Sequence, residues 1–98
     1  MDLKTFNELV ESDNRHVIVL SASWCAPCVM LGKTIDKIRE LASNLSDRIY
    51  KFDIDDCGDL VDHFSVQSVP TIFYVGGGII DIKKGIQSEA QLCDWLMG

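Results

Sequence analysis

The sequence predicts an α/β domain built on a mixed four-stranded sheet with helices on its faces. Three observations carry that class. The run His16-Val17-Ile18-Val19-Leu20 is apolar without alternation, which suits a strand covered on both faces. Strand-like and helix-like periods alternate along the chain, the pattern of a parallel β-α-β unit. Two further strand-like segments flank Gly76-Gly77-Gly78, which adds an antiparallel edge.

Each element follows in order. Leu3, Phe6, Leu9 and Val10 recur at helical spacing, so residues 2–12 read as an amphipathic helix, broken by Ser12-Asp13-Asn14. Residues 16–22 form the buried strand. Met30, Leu31, Ile35, Ile38, Leu41, Ala42 and Leu45 keep a helical period to about residue 45. Residues 48–54 alternate apolar and polar and read as a strand. Residues 58–64 make a short helix. Residues 71–75 and 79–83 are the glycine-linked pair. Ser88 and Gln91 have capping-box spacing and open a last helix with Leu92, Trp95 and Leu96 on its apolar side.

The 98 residues are expected to make one domain, 1–98, with a modest core. A net charge of −6 argues against nucleic acid, whose phosphates call for clustered Lys and Arg. No apolar stretch approaches the ~18 residues that span a bilayer, so no membrane partner is expected. Met1-Asp2-Leu3-Lys4 lacks the basic and apolar regions of a signal peptide, which points to the cytoplasm. In a reducing compartment four cysteines, Cys25, Cys28, Cys57 and Cys93, are catalytic or idle rather than a disulfide framework.

Trp24-Cys25-Ala26-Pro27-Cys28 carries the chemistry. Disulfide exchange needs a thiolate that attacks sulfur in line, and the amino end of a helix stabilises one. The motif lies between a strand and a helix, with Cys25 at the amino end and Cys28 one turn inside. Cys25 is expected to be the exposed nucleophile and Cys28 the resolving thiol. Pro27 is tolerated in the first turn and stiffens the loop between the sulfurs. A zinc site would want two further ligands at recognisable spacing, and Cys57, Cys93, His16 and His63 stand apart. The acidic residues Asp53, Asp55, Asp56, Asp59 and Asp62 lack calcium-loop spacing. Cys-x-x-Cys beside a β-α-β pattern favours redox chemistry.

With those residues in hand, the chain resembles the thioredoxin family over nearly its whole length. The matching marks are the Trp24–Cys28 motif, Phe52-Asp53-Ile54-Asp55, Val69-Pro70-Thr71, and Gly85 before the last helix. The stretch Asp53-Ile54-Asp55-Asp56-Cys57 is similar to that of eukaryotic cytosolic members. The resemblance implies a thioredoxin fold with the family's first strand missing or vestigial, and a protein disulfide reductase without a bound cofactor. It implies NADPH used indirectly, through thioredoxin reductase, and disulfide-containing clients such as peroxiredoxins. It also implies a cis Val69-Pro70 bond facing Cys25, and a substrate platform of Trp24, Ala26, Pro27, Val69, Pro70 and Gly85. The alternative readings are a peptide-binding module without turnover, and an oxidase or isomerase of an oxidising compartment.

Three departures from the family pattern matter. Ala26 stands where glycine is usual. Val19 stands where the family buries an acid beneath the resolving cysteine, so the second step is expected to be slow or to run through water. Lys51, the usual partner of that acid, is then expected to be a solvated charge. Met1 to Thr5 is too short for a first strand, so residues 48–54 are expected to form a sheet edge. Cys57 is expected to be partly exposed, either inert or open to oxidation and dimer formation. Cys93 reads as inert.

Overall fold

The computed structural model describes residues 1–85 and 87–97. The elements are α1 (Leu3–Glu11), β1 (His16–Ser21), α2 (Ala26–Leu41), α3 (Ser43–Ser46), β2 (Ile49–Asp53), α4 (Gly58–His63), β3 (Thr71–Gly76), β4 (Ile79–Lys84) and α5 (Glu89–Met97). A 3-10 turn, Ile54–Asp56, follows β2. The sheet order is β2-β1-β3-β4. β2 runs parallel to β1, whereas β3 and β4 run antiparallel to their neighbours. This is the mixed four-stranded sheet the sequence predicts, with residues 49–53 at one edge.

β1 lies between two strands, and all six of its residues are buried. Successive side chains of a strand point to opposite faces, so one run serves two cores. Val17 and Val19 join Leu31, Ile35 and Ile38 of α2 and Leu92 and Leu96 of α5. Ile18 and Leu20 join Phe6 and Val10 of α1, Leu60 of α4, and Phe73 and Val75 of β3. This is why the run shows no alternation.

The helices begin where local chemistry supplies caps. The Asp2 carboxylate accepts from the Thr5 amide at 2.8 Å. Ser88 and Gln91 form the expected reciprocal box, with bonds of 2.9 and 3.1 Å. α2 stops at Leu41 rather than near residue 45. Arg39 donates to the carbonyls of Ser46 (3.0 Å) and Ile49 (2.9 Å), which folds the chain back toward β2. Two residues of the predicted helical stripe then point outward, Met30 and Leu41, 60 % and 66 % exposed.

The hairpin between β3 and β4 needs its glycines. Gly76 has φ +144°, and a Cβ there would lie 2.5 Å from the Asn14 carbonyl oxygen. The amides of Gly77 and Gly78 donate to Ser12 and Val10, at 2.7 and 2.8 Å, and so seat the turn on the end of α1. α4 closes differently. Ser65 takes φ +52°, while Ser65 N–H donates to Asp62 O and Val66 N–H to Val61 O. That is the Schellman pattern, in which glycine is the usual residue. Ser65→Gly should stabilise the protein by ~1 kcal/mol or slightly less, since a left-handed conformation costs an L-residue about that much. A urea melt with an unchanged midpoint would contradict this.

His16 is buried at the start of β1. Its Nε2 lies 3.3 Å from Ser12 Oγ and its Nδ1 3.4 Å from Tyr50 Oη. Burial, helped by the charge of Arg48, holds its pKa below the ordinary value of 6.5. The unfolded chain therefore binds the proton more readily than the folded one. The contribution of His16 to stability is full above about pH 6.5 and falls as pH drops below that value toward the lower folded pKa. His16→Gln should remove that step from a stability-versus-pH curve below about pH 6.5. An identical curve for the variant would refute the assignment.

Candidate active site

The site forms where β1 ends and α2 begins. Cys25 N–H donates to Ala22 O at 3.1 Å, a tight turn that stops the strand. Cys25 is then the N-cap of α2, with extended backbone (φ −98°, ψ 107°) and Pro27 in the first turn. An N-cap side chain points back at the free amides of the first turn. Here the Cys28 amide donates to Cys25 Sγ at 3.2 Å. Proline lacks the N–H that would go unpaired at this point, so Pro27 costs nothing.

The second wall comes from far along the chain, 44 residues beyond Cys25. The Val69-Pro70 peptide is cis, as the resemblance implies. Cys25 Sγ donates to the Val69 carbonyl at 3.7 Å, and the Gly85 amide donates to Pro70 O at 2.9 Å. Ala22, Cys25 and Cys28 form one small apolar cluster, with Ile54 and Val69 against it. The structure thus brings Trp24, Cys25, Ala26, Pro27, Cys28, Val69, Pro70 and Gly85 to one end of the sheet.

Cys25 departs from expectation. Its residue is only 4 % exposed, because capping turns the thiol inward under the Val69 carbonyl. Trp24 is the exposed member, at 75 %. Cys28 is buried. Burial raises its pKa first, followed by its contacts with Cys25; the Ala22 backbone and the charge of Lys51 oppose the rise. A thiol of this kind stays protonated near neutrality and needs help to ionise. Both cysteines are free thiols.

The position where the family pattern would bury an acid holds an apolar side chain. Val19 is 3 % exposed and sits opposite Lys51 in the parallel register. A cavity of about 240 Å³ lies beside it, with Val29, Gly32, Ile35, Arg39 and Lys51 also lining it. Lys51 is exposed, as expected of a solvated charge. Its Nζ lies 3.2 Å from where a Gly32 Cβ would be, one helical turn along α2 from Cys28. The absent side chain of Gly32 makes that approach possible.

Sequence reasoning missed a second lining. Trp24 and Val69 share an apolar groove of about 220 Å³ with Ile54, Val61, Val66, Gln67 and Ser68. The only sequence signal was a pair of valines, Val61 within the short helix and Val66 just after it, and the Ser65 turn between them is not legible as such. Cys57 is not partly exposed but wholly buried, because it faces the core under α4. Cys93 is half-buried against the α2 side of the core. Among the described residues, no three of His, Cys, Asp and Glu converge as metal ligands, and no helix is long and apolar enough to cross a membrane.

Comparisons with known proteins agree with this geometry. The thioredoxin family model matches residues 1–97. A thioredoxin of Rickettsia typhi is 35 % identical over 97 residues, covering 97 % of this chain and 90 % of its own. Thioredoxin-2 of Saccharomyces cerevisiae is 39 % identical over 70 residues, covering 70 % of this chain and 65 % of its own. Among solved structures, mitochondrial thioredoxin 3 of Saccharomyces cerevisiae, in its oxidised form, superimposes with a TM-score of 0.83 at 24 % identity, covering 98 % and 89 % of the two chains. A chain solved for the thiol resolving mechanism of a yeast mitochondrial 1-Cys peroxiredoxin gives 0.83 at 23 % identity, covering 97 % and 88 %.

Proposed function

The chain belongs to the thioredoxin family and is a thiol-disulfide oxidoreductase; on that premise we propose that it reduces protein disulfides. Cys25, as thiolate, attacks one sulfur of a client disulfide. That bond breaks, one client thiolate leaves and takes a proton, and a mixed disulfide joins Cys25 to the client. Cys28 then loses its proton and attacks Cys25 Sγ. The second client thiolate leaves, a Cys25–Cys28 bond forms, and two electrons have passed to the client.

The observation that carries this reading is the Cys28 amide aimed at Cys25 Sγ from 3.2 Å. It is a backbone donor on the sulfur that must hold negative charge, and it is present before any client arrives. The buried thiol is reached by exchange of partners. An extended client segment pairing with the Val69 backbone, a small β-addition, takes over the carbonyl that now receives the Cys25 S–H. Trp24 and the groove of Val61 and Val66 supply apolar contact, while Ala26, Pro27, Pro70 and Gly85 shape the rim.

No bound cofactor is part of this cycle. NADPH enters through a thioredoxin reductase, which returns the Cys25–Cys28 bond to the dithiol. Peroxiredoxins are proposed clients; a related fold appears in the structural work on a yeast 1-Cys peroxiredoxin. We place the protein in the cytoplasm, in keeping with the likeness of residues 53–57 to eukaryotic cytosolic members. Rickettsial and mitochondrial relatives make cell fractionation the direct check. The activity test is reduction of a generic disulfide protein, driven by NADPH and a thioredoxin reductase. Wild-type protein should turn over, and absence of turnover would overturn the reading.

A further inference from the structure

We propose that the free edge of β4 pairs antiparallel with β4 of a second copy of this chain, in the register that sets Asp81 against Lys83 and Ile82 against Ile82. β4 has a strand on one side only. It carries Ile79, Ile80 and Ile82 at 51 %, 39 % and 42 % exposure. A strand edge with apolar side chains is a template for another strand.

The hydrogen-bonding pattern of the hairpin limits the choices. Gly77 and Gly78 both have positive φ, so the turn has two residues and closes on the Gly76–Ile79 pair. Bonded and non-bonded pairs then alternate. Asp81 and Lys83 spend their amides and carbonyls on β3. Ile80, Ile82 and Lys84 direct theirs outward, to a partner. A second strand must match outward groups to outward groups, and two registers give the longest overlap. One sets Asp81 against Asp81, and like charges directly opposite destabilise a sheet. The other sets Asp81 against Lys83 twice, once on each side of the two-fold, with Ile82 against Ile82 and Ile80 against Lys84.

Charge thus selects one register. Arg15 already holds Asp81 at 3.0 Å and Lys83 lies over Trp95, so both side chains are positioned before association. The antiparallel arrangement keeps the two dithiol sites at opposite ends of the joined sheet. A single strand edge buries less than the ~1,200 Å² of a stable interface, so the dimer should be weak and dependent on concentration.

The test is sedimentation equilibrium from about 10 μM to 1 mM, the range in which an interface below standard size associates. Wild-type protein should pass from monomer to dimer across it. Asp81→Lys and Lys83→Asp, each alone, should weaken association at least tenfold, since each makes both cross-strand charge pairs repulsive. An equimolar mixture of the two variants should dimerise again, because every cross-strand pair is then of opposite charge. Wild-type protein that stays monomeric at 1 mM overturns the proposal. So does a dimer indifferent to the single substitutions, or a mixture that fails to recover. Circular dichroism of each variant separates loss of pairing from loss of fold.

Discussion

Cys28→Ser should freeze the protein on its clients. With the resolving thiol gone, Cys25 still attacks, and the mixed disulfide has no intramolecular exit. Turnover in the coupled assay should fall by about 10³ or more, because exchange requires an attacking thiolate and the serine hydroxyl does not displace one from a disulfide. Covalent adducts through Cys25 should accumulate and disappear on addition of dithiothreitol. The structure makes this a clean experiment. The group that supports Cys25 is the backbone amide of residue 28, at 3.2 Å, and serine keeps it. Attack by Cys25 should therefore proceed at close to the wild-type rate while release stops. Unchanged turnover would exclude the assigned roles. Adducts at Cys57 or Cys93 would move the chemistry elsewhere. A peptide-binding module without turnover would bind its partner alike with either residue at position 28 and form no adduct.

Val19→Asp should trade stability for speed. A carboxylate at this position replaces a 3 % exposed valine packed against α2, and an ion taken from water costs several kcal/mol before it is paired. The register places Lys51 directly opposite, and the adjoining cavity of about 240 Å³ can admit water, so part of that cost is returned. A net loss of ~2–4 kcal/mol is expected by urea denaturation, large against the ~5–15 kcal/mol that holds a domain together. In exchange, Cys28 gains a base. Its thiol is now held up by burial, and a neighbouring carboxylate can take its proton as it attacks. Release of client from a preformed mixed disulfide, followed by stopped flow at pH 7, should be several-fold to tenfold faster. If release is no faster, the missing acid is not what limits the second step. Lys51→Met in the same background should reverse part of the gain and leave the first attack untouched.

Much of this was legible in the chain because short-range patterns and long-range demands coincide. The run from His16 to Leu20 reads as doubly covered, and it is the strand that feeds both cores. The Ser88–Gln91 box is a local contest of side chain against backbone, settled within one turn. Cys25 and Cys28 are three residues apart, and a helix start is all that is needed to give them different surroundings. Where the reading missed, the deciding contact came from far along the chain. α2 ends at Leu41 because Arg39 reaches the Ser46 and Ile49 carbonyls. Met30 and Leu41 match the apolar period yet point to water.

The sequence by itself determined the elements, the sheet class, the dithiol and the family, since each rests on spacing within a few residues or on a motif read as a whole. The tertiary structure alone decided how accessible the two sulfurs are and how readily Cys28 ionises. Cys25 is tucked beneath a carbonyl 44 residues away, Cys28 is buried, and Lys51 leans over Gly32 beside Val19. Burial and electrostatic environment depend on which distant segments pack together, and no local pattern encodes that.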